Sequence, residues 1–298
     1  MATGLHISIS AERLFTLGGL DITNSMFTSV LVSMLLISFA VITKSKLKNV
    51  SKPTGIQNFA EMIIEALHGL VHGVTSDFKK TRLFFPFIST FFLVIISNNW
   101  LGLIPGVGTI RLLVNEEAAQ MEEAVKHSSV LVNSVQASET TIIEDATILT
   151  TDEVAHEDSA NEHSGPVAVP IFRPGTADIN TTISLALISI IVTQIFGFKY
   201  SKFGYFKKFI NFSSPIMFFV GILELISEFA KIISFAFRLF GNILAGEILL
   251  VVIAFLCPII LPMPFYGLEL FVGFIQALVF SLLTLVFFNM ATINHEEH

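Results

Sequence analysis

One arginine sits where an arginine is costly. Arg238 lies deep inside a long apolar stretch, in the run FAFRLFGN of residues 235–242. A charged side chain at mid-membrane costs roughly 2.5–3.5 kcal/mol even on the mildest scale, and such residues mark functional pathways. Guanidinium does not release its proton in a protein, so Arg238 is a permanent cation rather than a proton carrier. Polar and titratable groups lie along the same stretch: Glu224, Glu228, Lys231, Asn242 and Glu247. On a helix, Glu224 falls within about 40° of the Arg238 face and roughly 21 Å away along the axis, Asn242 shares that face, and Glu247 points about 180° away. The next segment adds Glu269 and, two turns on, Gln276. Carboxylates on both sides of one fixed positive charge make an electrostatic device, in which protons reach a central site from either side but do not pass straight across. The plain alternative is a snorkelling or salt-bridged arginine, which the distance of Arg238 from either end of the segment makes awkward. Glu228 reads differently, as an interfacial carboxylate paired with Lys231 three residues on.

These groups need elements to hold them, and composition says what kind. Of 298 residues, 53% are hydrophobic and only 14% charged, against roughly 25% charged in an average soluble domain. That excludes a soluble enzyme, because a globular domain still needs a polar shell. Apolar runs of about 20 residues suffice to cross a bilayer, and charge-free ones cover residues 25–43, 83–104 and 179–198. Two longer helical segments that carry charges follow at 215–256 and 265–293. Ser213 and Ser214 before Pro215 resemble an N-cap with proline in the first turn. Pro258, Pro262 and Pro264 break the chain between the two long segments. Residues 54–78 differ in kind: Ile56, Phe59, Ile63, Leu67, Leu70, Val74 and Phe78 recur every three or four positions, with Glu61, Glu65, His68 and His72 on other faces. Thr54 and Gln57 fit a capping box, and the whole reads as an amphipathic helix in the membrane interface. The fold expected is an all-α integral membrane protein, one membrane domain over 1–298: upright transmembrane helices, one amphipathic interfacial helix and a long, tilted C-terminal two-helix hairpin. About 42 helical residues would span roughly 63 Å, far more than the roughly 30 Å hydrocarbon core, so that helix must tilt, bend or leave the membrane.

Charge sets the orientation. Lys44, Lys46, Lys48, Lys52, Lys79, Lys80, Arg82, Lys199, Lys202, Lys207 and Lys208 all fall on one side if the spans alternate. Residues 112–164 fall on the other side and hold twelve of the 24 acidic residues, with Lys126 the one Lys or Arg. The positive-inside rule then puts the N-terminus outside and the C-terminus in the cytoplasm. The acidic stretch has no aromatic residue and reads as a solvated external loop, with a cation-concentrating or partner-binding role as the alternative. The first twenty residues, which include Glu12 and Arg13, lack the apolar core of a secretory signal and the arginine content of a transit peptide.

Three runs carry a resemblance. Residues 238–247 (RLFGNILAGE) resemble the most distinctive motif of subunit a of F-type ATP synthases, the membrane stator facing the rotating ring of c subunits. Residues 98–105 (NNWLGLIP) are similar to the end of that family's third helix, and 177–187 (ADINTTISLAL) to the start of its fourth. The resemblance covers nearly the whole chain except the acidic stretch, where many members have a short connection. It implies that Arg238 is the essential stator arginine, with Asn242, Glu247 and Glu224 as its polar neighbours. Glu269 falls where the family has a His or a carboxylate, and Gln276 where it has a Gln. Asp178 and Asn180 would stand near the mouth of an external half-channel formed with Glu247, Glu269 and Gln276, and Glu224 on a cytoplasmic one. The partners implied are the c-subunit ring, the peripheral-stalk b subunits, the rest of the ATP synthase complex and membrane lipids. The tail, residues 290–298, resembles bacterial members, which points to a bacterial plasma membrane rather than a mitochondrial inner membrane.

Other readings exclude or compete. The single Cys257 rules out an internal disulfide framework. There is no phosphate-cradling glycine loop, so the chain itself is expected to bind no nucleotide and no cofactor, and to act as a non-catalytic subunit. No charge run suggests nucleic acid. His68 and His72, with Glu65 nearby, have metal-compatible spacing, but two histidines on an amphipathic helix are commoner, and no metal is expected. The competing function is a self-contained proton- or sodium-coupled secondary transporter, although no repeat relates the two halves as such folds often require. A membrane assembly protein without transport leaves Arg238 and Glu247 unexplained. The choice between H⁺ and Na⁺ stays open.

Overall fold

A computed structural model of the chain describes residues 11–17, 20–46, 55–104, 111–114, 167–201, 215–257 and 260–292. Among the described residues six α-helices dominate: α1 (Asn24–Lys46), α2 (Gly55–Thr75), α3 (Phe78–Gly102), α4 (Ile179–Ser201), α5 (Pro215–Leu256) and α6 (Pro262–Ala291). All but α2 are long and apolar enough to cross a membrane. Two short two-stranded sheets accompany them, β1 (Arg13–Leu17) with β2 (Leu20–Thr23), and β3 (Arg111–Val114) with β4 (Val167–Pro170). No strand was expected in either place, since four or five residues are too few for an alternating pattern to show. The chain divides into two compact units, Met1–Ile110 with Pro170–His298, and Arg111–Val169. The acidic segment belongs to the second and lies, between β3 and β4, outside the described residues. So do Thr54 and the Ser213–Ser214 cap.

The helix ends show what charge counting misses. α3 begins at Phe78, not at the first charge-free residue, because the Asp77 carboxylate caps it by accepting the Lys79 amide at 2.9 Å. Lys79, Lys80 and Arg82 therefore occupy its first turns. α6 begins at Pro262, and Pro264 also falls in its first turn, where a missing N–H leaves no hydrogen bond unmade. Those prolines start a helix rather than merely interrupting one. Gln57 donates its side-chain amide to Glu61 at 2.8 Å, four residues into the helix instead of back to a cap. On α2, Leu67 and Val71 are buried and Ile63 and Val74 pack against the core, while Ile56, Phe59 and Leu70 are exposed. The turn from α2 to α3 is made at Ser76, whose φ of 52° is left-handed.

The core of the first unit is aromatic and spans α2 to α6. Phe84, Phe196 and Phe288 meet pairwise at ring-centroid distances of 5.0–5.5 Å, and Phe280 meets Phe235 at 5.0 Å. Leu239, Leu285, Ile95 and Ile88 fill the space between. Facing away from this core, Ile37, Val41, Phe229, Phe237, Phe255 and Phe271 are exposed. So large an apolar surface is stable only in an apolar solvent. The helices are membrane helices by what they show outward as well as by length.

Candidate functional site

One cluster of polar groups in the first unit gathers at the end of the bundle where α1 and α4 start and α3 ends. Ser25 Oγ donates to Asp178 Oδ2 at 2.8 Å, and the Asn180 amide donates to Asp178 Oδ1 at 3.0 Å. Asp178 is thus both a tie to α1 and the cap of α4. Next to it a 3₁₀ turn, Gly175–Ala177, presses so closely on its neighbours that a Cβ at Gly175 would collide with the Ser29 hydroxyl and with Asn98. Thr176 Oγ1 donates to Asn99 Oδ1 at 2.7 Å, and Asn99 Nδ2 donates to the Gly273 carbonyl of α6 at 3.2 Å. Trp100 Nε1 donates to the Leu270 carbonyl at 3.2 Å. The end of α3 is therefore fastened to the first half of α6, which carries Glu269 and Gln276.

Arg173, two residues before that turn begins, is the group that charge reading passed over. Its backbone amide donates to Thr28 Oγ1 at 3.3 Å. Its Nε and Nη2 both donate to Glu247 Oε2, at 3.3 and 3.2 Å. The Arg173 side chain is 5% exposed and that of Glu247 36%, so the pair runs from the buried interior to an opening. That opening is a cavity of about 170 Å³ lined by Asn99, Ile243, Glu247, Tyr266 and Glu269, among others. Glu269 is buried and lies directly over the backbone of α5: a Cβ at Gly246 would land on its carboxylate. Gln276, two turns further along α6, is buried, and its Nε2 has no partner among the described residues. Beyond it, Ser189 of α4 and Thr284 of α6 share a hydrogen bond of 2.8 Å, both fully buried.

Arg238 stands apart from this cluster. It is exposed on α5, and no ion pair or hydrogen bond reaches it among the described residues. Its neighbour Asn242 is half-buried, while Glu247 turns toward Arg173 on another side of the helix. Toward the start of α5, Glu224 is half-buried. Glu228 pairs with Lys231 at 2.7 Å, as their spacing suggests, and the ammonium lies 4.9 Å from the Phe287 ring centroid. Glu247 and Glu269 are thus brought together at one cavity, with Asp178 and Asn180 at the head of α4, while Gln276 lies two turns further along α6, level with the Arg238 stretch of α5 by the register of the Gly246–Glu269 and Phe235–Phe280 contacts. Arg238 and Glu224 lie outside that group. His68 and His72 stack at 6.3 Å against Phe78 and Phe85, and His72 Nδ1 meets Thr81 Oγ1 at 3.2 Å.

The fold and its buried polar groups define an all-α integral membrane protein with charged residues set inside its spans. The chain belongs to the ATP synthase A chain family, whose model matches residues 26–289. It is 32% identical over 293 residues to ATP synthase subunit a of Gloeobacter violaceus, an alignment covering 98% of this chain and 93% of that one. Membership makes it a membrane component of the ATP synthase complex and ties it to ATP synthesis and proton transport.

Proposed function

We propose that this chain is the stator that passes ions to and from the c-ring of a bacterial F-type ATP synthase, through two offset aqueous half-channels separated by Arg238. The observation that carries the reading is the setting of Arg238. A permanent cation on the outward face of an apolar helix, with no counter-charge among the described residues, calls for an anion supplied from outside the chain. A ring carboxylate is such an anion. Reaching the interface, it loses its ion, is stabilised as the carboxylate beside the guanidinium, and is reprotonated from the other access as the ring turns.

In this reading the external half-channel uses the cavity between Glu247 and Glu269 and continues to Gln276, with Asp178 and Asn180 at its mouth. The cytoplasmic one approaches through Glu224, with Asn242 beside the arginine. The hydrogen bonds that tie the start of α1 to the start of α4, and the end of α3 to the turn before α4, support the orientation. They send Lys44, Lys79, Lys80, Arg82 and Lys199 to the opposite end, where Lys80 lies 6.0 Å from the Tyr200 ring. With those lysines cytoplasmic, the N-terminus is outside, the C-terminus inside and the membrane is the bacterial plasma membrane. A length of about 63 Å for α5 suits a tilted hairpin with α6 against the ring. The b subunits of the peripheral stalk would hold it against rotation. A self-contained transporter is disfavoured, since family membership makes the chain part of a larger complex.

The test is proton flux in vesicles, with assembly measured separately. Lysine keeps a charge but lacks the planar fork and loses its proton readily when buried. Arg238→Lys should nearly abolish ATP synthesis, and Arg238→Ala should do so while permitting passive leak through the membrane sector. An assembled Arg238→Ala complex that still couples proton flow to synthesis would remove Arg238 from the mechanism.

A further inference from the structure

We propose that Arg173 is the positioning residue of the external half-channel: its guanidinium holds the Glu247 carboxylate at the cavity that Glu247 shares with Glu269. The inference rests on the assignment of Glu247 to the ion pathway. Three observations lead to it. First, both Nε and Nη2 of Arg173 converge on one oxygen, Glu247 Oε2, at 3.3 and 3.2 Å. Such a convergence fixes where that oxygen lies while leaving Oε1 to other partners. Second, Arg173 is itself fixed before it meets Glu247. Its amide is held by Thr28 of α1, and the Gly175–Ala177 turn that follows is locked against Ser29, Asn98 and Asn99. A side chain on so constrained a backbone is preorganised, and preorganisation is what a positioning role requires. Third, Arg173 is 4% exposed. Burying an ion pair seldom adds stability over an apolar pair of the same volume, so stability alone does not explain why an arginine is there.

Geometry also separates the two arginines. Arg238 has no partner among the described residues and faces outward, whereas Arg173 is buried and committed to a carboxylate of its own chain. Arg173 therefore acts through Glu247, and substituting it should change ion flux only as far as Glu247 matters. Carboxylates can relay protons; a guanidinium cannot. The proton path runs past Arg173 through Glu247 and Glu269.

Four variants test this in the full complex: Arg173→Gln, Arg173→Lys, Glu247→Gln and the double Arg173→Gln/Glu247→Gln. The readouts are the amount of assembled complex and ATP-driven proton pumping in inverted vesicles, normalised to it. A misplacement of about 1 Å can cost up to about 100-fold in rate, so Arg173→Gln should lower pumping about tenfold or more. Glu247→Gln should fall similarly, and the double should pump no worse than the weaker single variant. Arg173→Lys, which keeps a cation near Oε2, should recover part of the loss. If Arg173→Gln leaves its carboxylate uncompensated and fails to assemble, recovery of assembly in the double variant shows the same coupling. Losses that multiply in the double, or equal losses for Lys and Gln at normal assembly, would overturn the positioning role. Normal pumping by Arg173→Gln beside impaired Glu247→Gln would overturn it alone. Normal pumping by Glu247→Gln would overturn the pathway assignment beneath it as well.

Discussion

Gly246→Ala is a one-methyl change whose consequences for stability and for transport should differ sharply. The new Cβ would fall on all three carboxylate atoms of Glu269. Van der Waals contact between heavy atoms needs about 3.5–4.0 Å, so the carboxylate must retreat by at least about 1 Å. It stands at the far end of a flexible side chain and can do so by turning its χ angles, at about 0.5–1.5 kcal/mol for an off-rotamer state. Replacing glycine by alanine inside a helix returns about 0.5–1 kcal/mol. The two nearly cancel, so the complex should assemble and melt as before. Transport should not survive so well. A carboxylate moved about 1 Å from its relay position can lower a rate by up to about 100-fold, and a drop of about 10- to 100-fold in proton flux is expected. Glu269→Asp shortens the side chain by one bond of about 1.5 Å, so the double variant Gly246→Ala/Glu269→Asp should recover much of the flux. The assay is ATP-driven proton pumping per assembled complex. Unchanged flux in Gly246→Ala, or a loss that Glu269→Asp does not relieve, would refute the idea that the α5–α6 approach at Gly246 sets the Glu269 carboxylate.

Neutralising Glu247 or Glu269 to Gln should slow flux without abolishing it, because Asn99 remains along the cavity, Gln276 lies beyond it and water can enter, and the double should be slower still; flux unchanged in all three variants would discard the external path. A cysteine placed in residues 112–164 of a Cys257→Ser chain should be labelled from outside intact cells and one near Lys202 should not, the native thiol being exposed and so removed first. The reverse labelling pattern would sink the orientation. At the left-handed Ser76, Ser76→Gly removes a Cβ that costs roughly 1–2 kcal/mol in that conformation and should raise the melting temperature of the solubilised complex, while Ser76→Val, whose branched Cβ fits that region worse still, should lower it; the opposite order would show that the turn is not under strain.

Much of this fold is legible because a membrane helix must be both long and apolar. The five spans follow from that demand, and so does the opposition of Arg238 and Glu247 on α5, since nine residues at 100° each give half a turn beyond whole turns. The Glu228–Lys231 pair follows from its spacing. Helix starts were less legible, because Asp77 and Pro262 act through caps and first turns that hydropathy does not register. The β1–β2 hairpin is too short to leave a pattern. Arg173 is the instructive omission. Nothing about its local sequence separates it from any surface arginine, and its partner lies 74 residues away. A signal was nonetheless present: its place before the 179–198 span sets it, if the spans alternate, at the end opposite Lys44, Lys79, Lys80, Arg82 and Lys199. A charge that breaks the topological pattern has a local reason to be there, and here the reason is Glu247.

The β3–β4 ribbon has a consequence for how this subunit tolerates change. The strands ending at Val114 and beginning at Val167 are hydrogen-bonded neighbours, so the 52 residues between them close a loop whose ends are already joined. Closure entropy grows only as (3/2)RT ln n, so cutting those 52 residues to six would favour the ribbon by about 2 kcal/mol, and doubling them would cost about 0.6. Length at this point is nearly a free variable. It is a natural splice point, where a shorter turn, an affinity epitope or a whole reporter domain could be exchanged as a cassette.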